Sequence, residues 1–363
     1  MLWNWQLPQW PQFTYDAHAI EQQEKAFLLD AGKSIGCLHS VDTQDYIQFI
    51  VEILSIEGEK SAKIEGEILD RTSLQSSIKR HFGLHNNQKN SFKEAAMADL
   101  LCDVYESFHA PLTHDILYRW HERLFRDEAH IEVGTYRTHI EPMQIVSHRY
   151  GAPRVFFEAP PSDRVFREME AFVTWFNNTT VLPILERAAI AHVYFESIHP
   201  FEDGNGRIGR LLVEKILSQG IGRPVLIAVS KILEKRRKEY YVALERCNHT
   251  LDVSHWVTFF AGAVKLAQDE SLQLLSFLIQ KSKTLTRLSG QLNARQEKVL
   301  LRMFAAGPSG FTGGLSAEKY IKITKTSKAT ATRDLADLVE KQALVKTGQL
   351  RHTRYWLPSN SFC

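Results

Sequence analysis

Apolar residues recur along most of the chain at intervals of three and four. Ile20, Phe27 and Leu28 follow Asp16, a residue type suited to a helix N-cap. Tyr46, Phe49, Ile50, Ile53 and Leu54 repeat the spacing in a second helix, expected to end near Gly58. A short turn or helix, Ser61–Gly66, comes next. The same period predicts helices over 67–81, 91–108, 113–126, 162–178, 184–198, 206–219, 232–247 and 254–285, with Asn86–Asn90 as a polar connector. Between Gly134 and Pro161 the pattern alternates instead, so Met143–Ser147 and Arg154–Glu158 read as a hairpin turning at His148–Pro153.

The two ends differ from this helical body. Residues 1–15 hold Trp3, Trp5, Trp10, Phe13 and Tyr15, but Pro8 and Pro11 argue against helix. An extended arm whose aromatics pack on the body is expected. Past about residue 289 the pattern gives a helix over Asn293–Ala305, glycine breaks at 307–314, and helices over Leu315–Ile321 and Lys328–Lys341. A small hairpin, Ala343–Thr347 with Arg354–Leu357, turns near Gly348. Three helices and a wing is the order of a winged helix-turn-helix. The expected architecture is mainly α, divided as 1–85, a core over 86–289, and a tail over 290–363.

Charge sharpens that division. The 363 residues sum to only +2, yet residues 290–363 carry 12 Lys and Arg against 5 Asp and Glu. A weakly acidic body therefore bears a basic tail, a balance suited to nucleic acid or to an acidic partner. No apolar run reaches 18 residues, so no transmembrane helix is expected. The start lacks a basic and an apolar signal region. Cys37, Cys102, Cys247 and Cys363 are scattered and form no CxxC pair, which fits buried thiols in a reducing cytoplasm.

The chemistry concentrates in His199-Pro200-Phe201-Glu202-Asp203-Gly204-Asn205-Gly206-Arg207-Ile208-Gly209-Arg210. Pro200 stops the preceding helix, and Gly204 and Gly206 allow a tight turn with exposed N–H groups. A helix starting near Asn205 then offers unpaired N–H groups to an anion. Arg207 and Arg210 share a face and can both reach a phosphate. Asp203 supplies a hard oxygen for Mg²⁺, and His199 has the ordinary pKa of a general base. No GxxxxGK[ST] run is present. His192, Glu196 and His199 also share a helix face and are zinc-ligand types. That reading leaves the Gly-Asn-Gly-Arg run without a role, so His192 and Glu196 are better read as hydrogen-bonding braces of the loop.

The twelve-residue string resembles the Fic signature, HPFx[D/E]GNGRxxR, at every specified position. The likeness extends over roughly 90–285: Gly134–Arg137 and the hairpin are similar to the Fic flap, and Tyr240, Tyr241, Leu244 and Asn248 to the segment closing over adenine. The Trp-rich start and the winged tail are similar to flanking regions of some bacterial Fic proteins. The resemblance implies AMP transfer from ATP to a Ser, Thr or Tyr hydroxyl of a target protein. It gives His199 the role of base and Asp203 that of Mg²⁺ ligand. Gly204, Asn205 and Gly206 would be an anion nest, Arg207 would hold the β-phosphate and Arg210 the γ-phosphate. The flap near Met143–Ser147 would align the target by strand addition.

Ser61-Ala62-Lys63-Ile64-Glu65-Gly66 matches the family's inhibitory pattern, [S/T]xxxE[G/N]. It implies that Glu65 takes the γ-phosphate place on Arg210, and it extends to removal of AMP from a modified target. The different-class alternative is a DNA-binding transcriptional regulator whose Fic core senses nucleotide. DNA or protein as partner of the tail, and a homodimer, both stay open at this level; no membrane partner is expected.

Overall fold

A computed structural model describes residues 1–39, 41–84, 91–126, 128, 131–146, 154–308 and 310–358. The connector Asn86–Asn90, the turn His148–Pro153, Ser147 and Cys363 lie outside the described residues. The apolar period is realised in fourteen α-helices among the described residues: α1 Glu21–His39, α2 Thr43–Ile64, α3 Arg71–His81, α4 Phe92–Ser107, α5 His114–Phe125, α6 Ser162–Asn178, α7 Ile184–Ile198, α8 Asn205–Ile221, α9 Val229–Lys235, α10 Arg237–Cys247, α11 Ser254–Arg287, α12 Ala294–Phe304, α13 Ala317–Thr324 and α14 Lys328–Glu340. Two antiparallel strand pairs complete the fold, β1 Gln144–Val146 with β2 Val155–Glu158, and β3 Val345–Thr347 with β4 Arg354–Trp356. The mainly α expectation with one short hairpin in the core is thus met. No described helix is long and apolar enough to cross a membrane.

The chain forms two compact units. One holds Met1–Lys33 and Ile50–Asp269, the other Ser34–Phe49 and Glu270–Cys363.

In the first unit α7 is buried on nearly every side, and α8 packs along it. Glycines on α8 allow the approach. A Cβ on Gly209 would lie 2.8 Å from Glu196 Oε1, and one on Gly220 would lie 2.5 Å from Ile184. The two helices are therefore antiparallel, and the six residues between them form the signature loop. Around this pair, Trp120, Phe172, Phe176, Phe195, Phe201 and Trp256 are fully buried, each contributing on the order of 2–3 kcal/mol of hydrophobic stabilisation.

Local differences from the sequence expectation have physical causes. The helix expected to stop near Gly58 runs on to Ile64. Gly58 lies inside it because a Cβ there would come within 2.8 Å of Leu101 and 2.9 Å of Met97; the glycine serves packing, not termination. The helix expected from residue 67 begins at Arg71, where Asp70 accepts a cap bond from Ser73 N at 2.7 Å. The 232–247 helix is two, α9 and α10, joined at Arg236.

The aromatic arm packs as expected, with a short 3-10 turn at Asn4–Gln6. Trp5 is buried and donates to Glu158 O at 2.7 Å, while Trp3 packs edge-on against Phe157 and stacks on His249. Asn4 Nδ2 donates to Ser197 Oγ at 2.8 Å. The arm thereby ties strand β2 to the end of α7. Cys37, Cys102 and Cys247 are buried, and none of them forms a disulfide among the described residues.

In the second unit α12, α13 and α14 enclose a core of Val299, Leu300, Leu335 and Leu338. Strand β4 pairs with β3 and also bridges to Leu315 through Tyr355.

Candidate active site

Helix α7 ends at His199, whose φ of 50° is left-handed and whose N–H donates to Phe195 O at 3.0 Å. This turn throws the chain out of the helix before Pro200. Asn205, the first residue of α8, clamps the loop from the other side. Its Nδ2 donates to Phe201 O at 2.8 Å, and its Oδ1 accepts from Phe201 N at 3.0 Å. The Asn205 side chain is thus a strut of the loop rather than a free donor. Gly204 caps α8 with φ 83°, and a Cβ there would meet the Phe125 ring at 2.6 Å.

Arg137 fixes the loop from the flap side. It is 2% exposed and spends its fork on backbone carbonyls: Nε to His199 O at 2.8 Å, and Nη2 to Pro160 O at 2.5 Å and Ile198 O at 3.3 Å. Nη1 donates to Ser162 Oγ at 3.1 Å. Burial lowers the Arg137 pKa to about 10, so it stays charged near neutrality. The Gly134–Arg137 likeness marked this segment, but the role of Arg137 has no signal in one sequence.

The His199 side chain keeps only 14% of its surface exposed, and this partial burial, with Arg137 nearby, lowers its pKa to about 4. It is therefore neutral near pH 7, the form able to take a proton. Its Nδ1 stands 3.8 Å from Glu196 Oε2. Burial, and then the Glu65 carboxylate, raise the Glu196 pKa to about 8. His192 reaches α10 rather than the turn itself: Nε2 is 2.7 Å from Tyr240 Oη, and its ring lies against both Trp256 and Phe260. It joins α7 to α10 in the core, and burial lowers its pKa to about 3.

Arg210 is 4% exposed and faces the end of α2. Its Nη2 is 2.8 Å from Glu65 Oε1 and donates to Ser61 O at 2.9 Å, while Nε donates to Ser61 Oγ at 2.9 Å. Burial opposes its charge, but Glu65 more than offsets that and holds its pKa above the ordinary value. The Glu65 carboxylate rests against the α-carbon of Gly206, where any Cβ would overlap it. Its place is therefore over the first turn of α8, where an anion would bind. Arg210 Nη1 and Arg207 Nε are buried and lack a hydrogen-bond partner, donors to spare for such an anion.

Arg207 is also engaged. Nη1 is 2.8 Å from Glu67 Oε2, Nη2 is 3.5 Å from Asp203 Oδ1, and its guanidinium lies 4.8 Å from the Phe125 ring centroid. Asp203 accepts from Gly204 N and leaves its side chain 58% exposed. Among the described residues no group of three His, Cys, Asp or Glu could hold a metal by itself. One exposed hard carboxylate beside an anion site does fit Mg²⁺ shared with phosphates.

The residues expected over adenine have other partners here. Tyr240 is in the core with His192, Tyr241 Oη donates to Ile64 O at 3.2 Å, and Asn248 Nδ2 donates to Phe156 O at 2.9 Å. Sequence reasoning missed Glu67, although its place just past the Glu65-Gly66 turn, which has φ 87° at the glycine, was a usable signal.

Comparisons with known proteins place this geometry. Residues 111–217 match the Fic/DOC family model, and residues 3–84 match a domain of unknown function, DUF4172. Protein adenylyltransferase fic-1 of Caenorhabditis elegans is 31% identical over 157 residues, covering 43% of this chain and 28% of that protein. Protein adenylyltransferase Fic of Nematostella vectensis is 32% identical over 139 residues, 37% of this chain and 31% of its own length. The chain thus spans less than a third of these curated relatives. In fold it is similar to a crystal structure of a Fic family protein from Desulfovibrio desulfuricans G20, with a TM-score of 0.54, 22% identity, and coverage of 97% of this chain and 99% of that one. A Fic domain containing signaling protein from Bacteroides thetaiotaomicron VPI-5482 gives 0.52 at 20% identity, over 70% of this chain and 95% of its own. The signature loop held between two antiparallel helices thus lies inside the segment, residues 111–217, that matches the Fic/DOC family model.

Proposed function

We propose that the protein is an autoinhibited adenylyltransferase that moves AMP from ATP to a hydroxyl of a target protein. The observation that carries this reading is the Glu65–Arg210 pair at 2.8 Å, set against Gly206 at the start of α8. A carboxylate there competes with a phosphate for the same guanidinium and helix N-terminus. The names of the curated relatives support adenylyl transfer as the reaction.

With Glu65 displaced, the N–H groups of the first turn of α8 and the two arginines would bind the triphosphate. The neutral His199 imidazole would take the proton of the target hydroxyl as its oxygen attacks the α-phosphorus. The bond from that phosphorus to the bridging oxygen breaks, and pyrophosphate leaves with the electron pair. Donors fixed beforehand by Asn205 and Arg137 would stabilise the developing charge without reorganising. Asp203 would hold Mg²⁺, which supplies charge neutralisation beside the phosphates. The exposed edge of β1, including Ile145, would align the target segment by strand pairing.

Labelled ATP tests the reading. Glu65→Gly should raise incorporation roughly 5–150-fold, the span of a typical coupling between sites. His199→Ala in that background should lower it by about 10²–10⁴ while nucleotide still binds. Unchanged labelling in Glu65→Gly would show that Glu65 is no brake.

A second reading concerns the tail, which we infer to be a winged helix-turn-helix suited to duplex DNA. The acidic residues of α14 do not oppose it. Asp334 is buried and bound by Arg295, Asn293 and Tyr320, and Asp337 is paired with Lys341 and Gln296. The outward face of α14 instead presents Lys328, Ala329, Thr332, Arg333 and Ala336, with Glu340 at its far end. Small residues and two cations on one helix face match entry into a major groove.

A further inference from the structure

A cavity of about 630 Å³ opens beside the signature loop, lined by Glu65, Glu67, Lys93, Phe125, Glu128 and Arg207 among others. The brake just described accounts for Glu65 but not for Glu67. The Glu67 carboxylate spans two cations from different elements. Oε2 is 2.8 Å from Arg207 Nη1, and Oε1 is 3.0 Å from Lys93 Nζ in the first turn of α4. One oxygen on each of two converging cations is how a phosphate is held.

Each cation has a further partner besides Glu67. Arg207 is fixed by Phe125 and Asp203. Lys93 has a second carboxylate, Glu128, 3.6 Å away. Glu67 itself rides on the same turn as Glu65, one residue beyond Gly66. A displacement that frees Arg210 would therefore free Arg207 and Lys93 as well.

We propose that Glu67 occupies a polyphosphate subsite built by Arg207 and Lys93, which takes the diphosphate part of the nucleotide, and that Glu67 is a second brake coupled to Glu65. The inference rests on the adenylyl-transfer reading above. Lys93 is then a phosphate-binding residue outside the signature, neutralising the pyrophosphate that carries off the electron pair when the α-phosphorus bond breaks. A ligand without the diphosphate, such as AMP, gains nothing from it.

The test uses the full chain in the Glu65→Gly background, with inorganic pyrophosphate and AMP as calorimetric probes and ATP as substrate. Adding Glu67→Gln should tighten pyrophosphate and lower the KM for ATP by about fivefold or more. Adding Lys93→Met to that double variant should reverse the gain, Lys93→Arg should restore it, and AMP affinity should hold throughout. Equal pyrophosphate affinity with and without Lys93, or an equal loss of AMP affinity, overturns the subsite. If the Glu65→Gly protein transfers no AMP, the reading beneath has failed instead; pyrophosphate binding, which needs no transfer, still decides the subsite.

Discussion

Arg137 Nε donates at 2.8 Å to the backbone carbonyl of His199, the residue proposed above as the base. A guanidinium buried among carbonyls of three separate residues holds the left-handed His199 turn against the flap. Arg137→Met would leave those carbonyls without donors, at about 1–3 kcal/mol for each that stays unsatisfied. We expect a loss of roughly 3 kcal/mol in denaturant unfolding and a lower kcat in the Glu65→Gly background. Arg137→Lys should not rescue, because an ammonium lacks the fork. A Met variant of unchanged stability and kcat would show that the loop holds its shape without the arginine.

The same pair sets a pH dependence. Burial, then the Arg137 charge, lower the His199 pKa to about 4, while Glu65 pushes it the other way. Removing Glu65 takes away one raising cause and leaves those from Glu196 and Asp203, each smaller than the lowering by burial, so the base should remain neutral well below the ordinary 6.5. The kcat/KM of Glu65→Gly should be level from about pH 7 down to 5 and fall only toward pH 4. Removing Arg137 should move that limb to higher pH. For stability the sign is fixed as well: the unfolded chain takes up the proton near 6.5 and the folded chain near 4. Acid across that window therefore costs stability, and unfolding at each pH must be measured alongside. An activity midpoint near 6.5 would show that the folded site does not hold His199 neutral.

What the sequence revealed and what it hid divide along physical lines. The signature loop was legible because glycines at forced turns, a helix start and paired arginines are local demands on residue type. Glu65 was legible from a short spaced pattern. Arg137 and Lys93 were not, because their partners lie 62 residues away for Arg137 and His199 and 26 residues away for Lys93 and Glu67. Gly58 misled for a related reason: its requirement comes from Met97 and Leu101 on another helix, and local propensity read it as a stop.

Tyr241 separates two roles by the sign of one substitution. Its hydroxyl donates to Ile64 O at 3.2 Å, immediately before Glu65, so it ties down the turn that carries the proposed brake. Tyr241→Phe removes a hydrogen bond worth about 0.5–1.5 kcal/mol net. If holding the turn is its main work, basal AMP transfer should rise by roughly 2–12-fold, read as labelled ATP incorporated by otherwise unaltered protein. If the hydroxyl serves the adenine instead, the KM for ATP should rise and basal transfer should fall.

The basic face of the tail gives the last prediction. Lys328 and Arg333 are exposed on α14, and Lys346 and Arg351 are exposed in the strand-pair region after it. Phosphate contacts from such residues make affinity fall steeply with salt, by a slope close to the number of phosphates neutralised. The full chain should retard a duplex of about 24 base pairs at about 50 mM salt and release it as salt rises. Lys328→Ala with Arg333→Ala should weaken binding by at least tenfold and make the salt slope shallower by about two. AMP transfer should not change, since neither residue belongs to the proposed nucleotide site. No retardation at low salt, or equal retardation by the double variant, would rule out α14 as a DNA-reading helix and leave its exposed cations to a protein partner.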